Sequence, residues 1–235
     1  MIINIITICT GKYVKFFNSL YSSSEEYFLP NYKKNYYIFT DGEILNASNI
    51  IKIHQPKLGW PYDTMMRFEM FNRLKLHEHE YVYFLNANMN FVSKIDHNNT
   101  DIFPGPSNDF LLGVRHPGHY STPKQYFPYE RRIISRFHIP EWCGKYYYQG
   151  CFNGGRVKEF MEMSSILSVM IREDLSVGIT PVWHDESALN WYYYHKQPIL
   201  LDPGYAYPES WNIPFKKKII QLDKSKLGGH EALRS

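Results

Sequence analysis

The segment Trp183-His184-Asp185-Glu186-Ser187 sets an indole, an imidazole and two adjacent carboxylates just ahead of an amphipathic run. Indole faces stack on sugar rings, and carboxylates either grip hydroxyls or stabilise positive charge at a reacting carbon, so the grouping fits carbohydrate chemistry. Neighbouring side chains diverge, which lets Asp185 hold a hydroxyl while Glu186 faces the reacting centre. A plainer reading fits the same residues, with Asp185 as a helix N-cap and Glu186 as a first-turn acid favoured by the helix dipole. The segment by itself accommodates both.

Other candidates for chemistry are fewer. The chain has 235 residues and a formal charge of only +3, too weak for a general nucleic-acid binder. Lys216-Lys217-Lys218, Lys224 and Lys226 nevertheless gather positive charge near the end, where an anionic partner could bind. His77-Glu78-His79-Glu80 lacks the spacing of a two-histidine helix site and reads as a solvated face. Cys9, Cys143 and Cys151 are odd in number and show no paired metal spacing, which predicts a reduced, cytoplasmic protein. A strand pattern that starts at Met1 leaves no room for a signal peptide, and no stretch is apolar enough to span a bilayer, so membrane contact is peripheral at most. Aromatic residues make up 17% of the chain, with 20 Tyr and 5 Trp, and offer flat amphipathic surfaces for sugars or bases, or simply a Tyr-rich core.

The elements that must position these groups follow from periodicity. Ile2 to Ile8 reads as a strand, and Tyr13, Phe16, Phe17, Leu20, Tyr27 and Phe28 as one face of a helix. Tyr36 to Phe39 and Ile50 to Ile53 predict short strands. Thr64 starts a helix through Met65, Phe68, Phe71 and Leu74, and Tyr81 to Leu85 is a strand ending at Asn86. Residues 103–155 read as loops and short strands. Two helices, Val157 to Ile171 and Ser187 to Tyr194, come after. The alternation predicts one α/β domain over 1–235, Rossmann-like, with a mostly parallel sheet and ligands beyond the carboxyl ends of its strands. Thr10-Gly11-Lys12 and Asn86-Ala87-Asn88 lie at such ends. From Asp223 onward the chain has few apolar anchors and predicts a mobile, basic tail.

Taken in order, Tyr81 to Asn90, His116-Pro117-Gly118, Tyr129-Glu130-Arg131-Arg132, Tyr147 to Gly155 and Trp183 to Ser187 resemble glycosyltransferase family 6, the family of the blood-group A and B α1,3-glycosyltransferases. The resemblance implies a GT-A fold and a retaining transfer of galactose or N-acetylgalactosamine from UDP to a galactoside or fucosylated galactoside. It places Ile8, Thr10 and Tyr13 at the uracil, Arg67, Lys224, Lys226 and Arg234 around the diphosphate, and Asp185 on donor-sugar hydroxyls. Glu186 falls under the anomeric carbon as the catalytic carboxylate, and Gln149-Gly150-Cys151 matches the sugar-selecting triplet. His116, Trp183 and His184 fall on the acceptor side, while Pro128 replaces a family threonine.

The animal enzymes carry Asp-X-Asp where this chain has Asn86-Ala87-Asn88, as bacterial members do. Two carboxylates facing a diphosphate without a metal would repel it by up to ~4 kcal/mol per close charge pair at intermediate dielectric. Amides avoid that and can donate to phosphate or ribose, so neither manganese nor any other cofactor is expected. Two other classes compete with this one. A binding module for sugars or nucleotide sugars would leave Glu186 and the basic tail without a role, and a glycoside hydrolase would need its carboxylates on opposite sides of one bond, which adjacent residues cannot supply.

Overall fold

The computed structural model describes residues 1–96, 98, 100–229 and 233. The chain opens with strand β1 (Ile2–Ile8) and helix α1 (Val14–Tyr27), whose Phe16, Phe17 and Leu20 recur at helical spacing and are buried. Strands β2 (Lys33–Thr40) and β3 (Ile50–His54) come next. Two short helices, α2 (Tyr62–Met65) and α3 (Arg67–Phe71), lead to β4 (Tyr81–Leu85) and β5 (Met89–Phe91). The second half contains β6 (Leu111–Arg115), β7 (Tyr148–Arg156), α4 (Val157–Ser176), α5 (Asp185–Tyr194), β8 (Ile199–Leu201), β9 (Tyr207–Pro208) and β10 (Ile219–Gln221).

Seven strands form the main sheet in the order β3-β2-β1-β4-β7-β6-β8. All its pairings are parallel except those that β7 makes with β4 and β6. The sheet is thus mixed and mostly parallel, as the alternation of elements requires and as a GT-A fold has. Successive residues of β1 feed opposite faces: Ile3 and Ile5 join the core under α1, and Ile6 joins the core shared with α3, α4 and α5. A second sheet, β5-β10-β9, packs the end of the chain against Asn86-Ala87-Asn88.

Three expectations change. The helix expected from Thr64 breaks at Met66, whose φ and ψ are −85° and 9°. Arg67 Nε takes the Thr64 carbonyl at 3.1 Å, so that carbonyl is diverted from the helical ladder. Residues 103–155 contain the nine-residue strand β7, hidden in the sequence by Gly150, Gly154 and Gly155. A side chain at Gly154 would collide with the Val82 carbonyl, and Gly155 has φ +150°, so these glycines permit close strand approach. Finally, the stretch from Asp223 is docked through residue 229. Leu222 N donates to the Asn88 carbonyl at 2.8 Å, Asp223 N to Glu209 Oε2 at 2.7 Å, and Lys224–Leu227 forms a 3-10 turn capped by Asp223. Leu233 is buried in the α1-side core.

Candidate active site

The carboxyl ends of β1 and β4 open into a cleft. Ile8, Thr10, Tyr13, Arg67, Asn86, Ala87, Asn88 and Lys224 line it together. The fold therefore gathers eight of the expected donor-site residues from four separate stretches. Their neighbours in the wall are Lys57, Trp60, Asp63, Thr64, Leu233 and, from β4, Phe84, which sequence reasoning missed because only the tertiary fold turns them toward this cleft. Lys224 Nζ stands 5.2 Å from the centre of the Tyr13 ring, a cation over an aromatic face. Asn88 is buried, and its amide donates to the Leu222 carbonyl at 3.2 Å, so it secures the docked end of the chain as well as lining the cleft.

Arg67 joins this cleft to the deeper carboxylates. It is buried, stacks over Phe84 at 4.5 Å, donates to the Gly150 carbonyl at 2.7 Å and lies 3.0 Å from Asp185 Oδ2. Burial pushes the Asp185 carboxyl above its ordinary range even though Arg67 pulls the other way. Glu186 is half-buried and accepts a hydrogen bond from Gly150 N at 3.0 Å. Burial drives its carboxyl up to about 7, the Gly150 bond opposes this, and the neighbouring Asp185 charge adds to the rise. The buried Tyr147 hydroxyl interacts with the same carboxylate and makes no hydrogen bond of good geometry to any described group. Glu186 sits in the first turn of α5, as the plainer sequence reading required, but so does Asp185, since the N-cap is His184; across the fold their partners are Arg67 and Gly150.

Gly150 is the hinge of this arrangement. Its amide and carbonyl hold Glu186 and Arg67, and a Cβ there would lie 2.8 Å from Asp185 Oδ2 and 3.5 Å from Arg67 Nη1. The flanking residues behave differently. Gln149 and Gln221 exchange side-chain amide hydrogen bonds at 3.1 and 3.3 Å, and Cys151 Sγ lies 3.3 Å from Gln149 Oε1 with its side chain in the core. Burial pushes the Cys151 thiol up, so it is no nucleophile.

On the other side, His116 accepts a hydrogen bond at Nδ1 from Gly118 N (2.9 Å), which leaves Nε2 to carry the proton. Burial, with His119 beside it, pulls this imidazole down to about 3, so it stays neutral at working pH. Trp183 is half exposed, and its backbone N donates to Ser187 Oγ at 2.9 Å. His184 has φ +55° and stacks edgewise on Trp60 at 4.7 Å. Buried Glu130 pairs with Arg132 and accepts from Val182 N, bracing the turn into this segment.

Lys226 is turned to Glu209, 2.5 Å away, and does not line the cleft. Arg234 lies outside the described residues. Among the described residues of the cleft, the amides of Asn86 and Asn88 accompany a single carboxylate, Asp63, which accepts from Leu58 N at 2.6 Å.

A mostly parallel sheet, a cleft at its strand ends with three cationic side chains, Lys57, Arg67 and Lys224, and two adjacent carboxylates behind it suit an enzyme that acts on an anionic substrate. The glycosyltransferase family 6 model matches residues 1–235, and the chain belongs to that family. It is 37% identical over 231 residues to the O-antigen biosynthesis glycosyltransferase WbnI of Escherichia coli, an alignment that covers 96% of each chain. It is 30% identical over 250 residues to histo-blood group ABO system transferase 2 of Rattus norvegicus, covering 99% of this chain and 71% of that one. Against globoside alpha-1,3-N-acetylgalactosaminyltransferase 1 of Gallus gallus it is 31% identical over 223 residues, 88% of this chain and 62% of the other. The chain is thus a glycosyltransferase, and the family implies a nucleotide-sugar donor and a glycan acceptor. No helix among the described residues is long and apolar enough to cross a membrane.

Proposed function

We propose that this enzyme transfers galactose, in preference to N-acetylgalactosamine, from its UDP conjugate to a galactoside or fucosylated galactoside, with retention of the α configuration and without a metal ion. The observation that carries the reading is the half-buried Glu186, oriented by Gly150 N and set one residue from the Asp185 carboxylate, whose partner Arg67 lines the cleft. In this scheme Ile8, Thr10 and Tyr13 receive the uracil, and Asn86 and Asn88 donate to ribose or phosphate. Arg67, Lys57 and Lys224 balance the charge that builds on the diphosphate as the sugar–phosphate bond breaks. Asp185 holds sugar hydroxyls, and Glu186 stabilises positive character at the anomeric carbon or bonds to it covalently. The acceptor oxygen then bonds to the face that UDP leaves, with Trp183, His184 and the His116 Nε2–H group holding the acceptor. Similarity to an O-antigen enzyme supports a bacterial surface glycan as the acceptor class.

The deciding experiment follows UDP release and product formation from UDP-galactose with a panel of galactosides, for the wild type and Glu186→Gln, in EDTA. Transfer by the wild type and not by the variant is expected. Binding of the donor with no turnover by either protein would overturn the reading in favour of a binding module.

A further inference from the structure

The loop 131–138 has no part in the chemistry above, yet its base is fastened to the segment that does. Glu130 accepts from Val182 N at 2.9 Å, Arg132 Nη2 donates to the Thr180 carbonyl at 2.6 Å, and Ile139 N returns to the Glu130 carbonyl at 2.9 Å. Within the loop, Ser135 N donates to the Arg132 carbonyl at 3.0 Å, which makes Ile133 and Ile134 the central pair of a β-turn. These two side chains are 86% and 71% exposed. Central turn positions ordinarily carry Gly, Pro, Asn, Asp or Ser because the backbone needs them there. Two branched hydrocarbons held out into water at such a tip are explained by no local geometry and by no neighbour among the described residues, and they mark a surface that another phase or partner covers.

What covers it is indicated by the surroundings. Tyr126 and Trp142 are 70% and 63% exposed and share a hollow with Arg131. The stretch from Lys124 to Lys145 contains five basic and two acidic residues, an excess equal to the net +3 of the whole chain. Although Arg132 is paired with Glu130 and Arg136 with Glu173, the two arginine side chains remain 49% and 57% exposed. An aliphatic tip, amphipathic Trp and Tyr rings and arginines together match the layers of a bilayer interface: acyl boundary, headgroup level and phosphate. We propose that the Ile133–Ile134 turn is a membrane anchor that inserts at the surface of a bilayer containing anionic lipids. Because the loop is tied to Thr180 and Val182, docking there is joined mechanically to the Trp183–Glu186 segment. The inference stands independently of the donor and acceptor assigned above.

The test is co-sedimentation of the full chain with vesicles of phosphatidylethanolamine and phosphatidylglycerol, and with vesicles of phosphatidylcholine alone, at low and high salt. Binding to the anionic vesicles, weakened by salt, is expected, and Ile133→Ser combined with Ile134→Ser should lower the partition coefficient about tenfold or more. The tip is exposed, so the double variant should keep the wild-type melting temperature and its turnover on a water-soluble acceptor. Trp142→Ser, tested alone, should give a smaller loss of binding. Failure of the wild type to bind anionic vesicles, or equal binding by the double variant, overturns the proposal. So does a change in molecular mass on sedimentation equilibrium without lipid, with vesicle binding intact, because the tip would then be a contact between copies of the chain.

Discussion

Arg67 and Asp185 face each other at 3.0 Å with both side chains almost wholly removed from water. Breaking such a pair from one side leaves a buried charge unanswered, at a cost of about 3–5 kcal/mol. Arg67→Met should therefore lower thermal stability sharply, and Arg67→Met combined with Asp185→Asn should recover much of it. Turnover should not recover in the double variant, because the guanidinium also bridges the cleft and the Gly150 carbonyl. Melting curves and initial rates on the same samples check this, and restored activity would remove Arg67 from the site.

Glu186 links activity to stability with opposite signs. Its folded-state carboxyl, near 7, lies above the ordinary value of 4.5, so the native state holds a proton that the unfolded chain has released between those two pH values. The stability from this group is present below about 4.5 and is lost as pH rises through 7, a change on the order of 3 kcal/mol. Glu186→Gln should raise the melting temperature at pH 8 more than at pH 5 while lowering turnover about a hundredfold or more. The wild-type kcat/KM should fall on the acid side with an apparent midpoint near 7, and the remaining activity of the variant should lack that limb.

Metal removal is the third case. With Asn86 and Asn88 where a carboxylate pair would hold an ion, transfer should continue in EDTA at a rate close to that in buffer alone. Restoration of a lost rate by manganese would show that the amide oxygens coordinate after all.

Lys224 offers a more local test of the cationic wall than removing the end of the chain, since Leu233 packs in the core and truncation would disturb folding as well. Lys224→Ala should weaken UDP binding and lower turnover about tenfold or more, with the loss smaller at high salt. Lys226→Ala should do much less, because Lys226 is occupied by Glu209. Calorimetric titration with UDP separates the two.

The proposed donor choice rests on Cys151. If its side chain crowds an acetamido group, the preference for the smaller 2-hydroxyl is worth about 1–3 kcal/mol, and Cys151→Gly should shift the kcat/KM ratio toward UDP-N-acetylgalactosamine about tenfold or more. Gln221→Ala should also alter the ratio, since it frees the Gln149 amide from its partner. A wild type that prefers the acetamido sugar would assign the preference to backbone placement instead.

Much of the parallel half of the sheet was legible because β1 and β4 are nearly continuous apolar runs with turn residues at their ends. The cleft residues at those ends were legible for the same reason. Strand β7 was not, because close packing against Val82 and Phe110 demands glycines that read locally as loop. Lys57, Trp60 and Leu233 left no periodic signal either, since their role comes from tertiary placement. The docking of the final stretch depends on single backbone bonds to Asn88 and Glu209, which no local pattern encodes. The motif around Glu186 singled out the two acids but not their partners, because Arg67 and Gly150 are 119 and 36 positions away in the chain.

The crowding around Gly150 also limits what can be altered there. A Cβ would lie 2.8 Å from Asp185 Oδ2, so any side chain must displace a carboxylate that is itself paired with Arg67. Positions 149 and 151 answer instead to Gln221 and to the core, so redesign of this strand can begin on either side of the glycine and leave the Arg67–Asp185 pair in place.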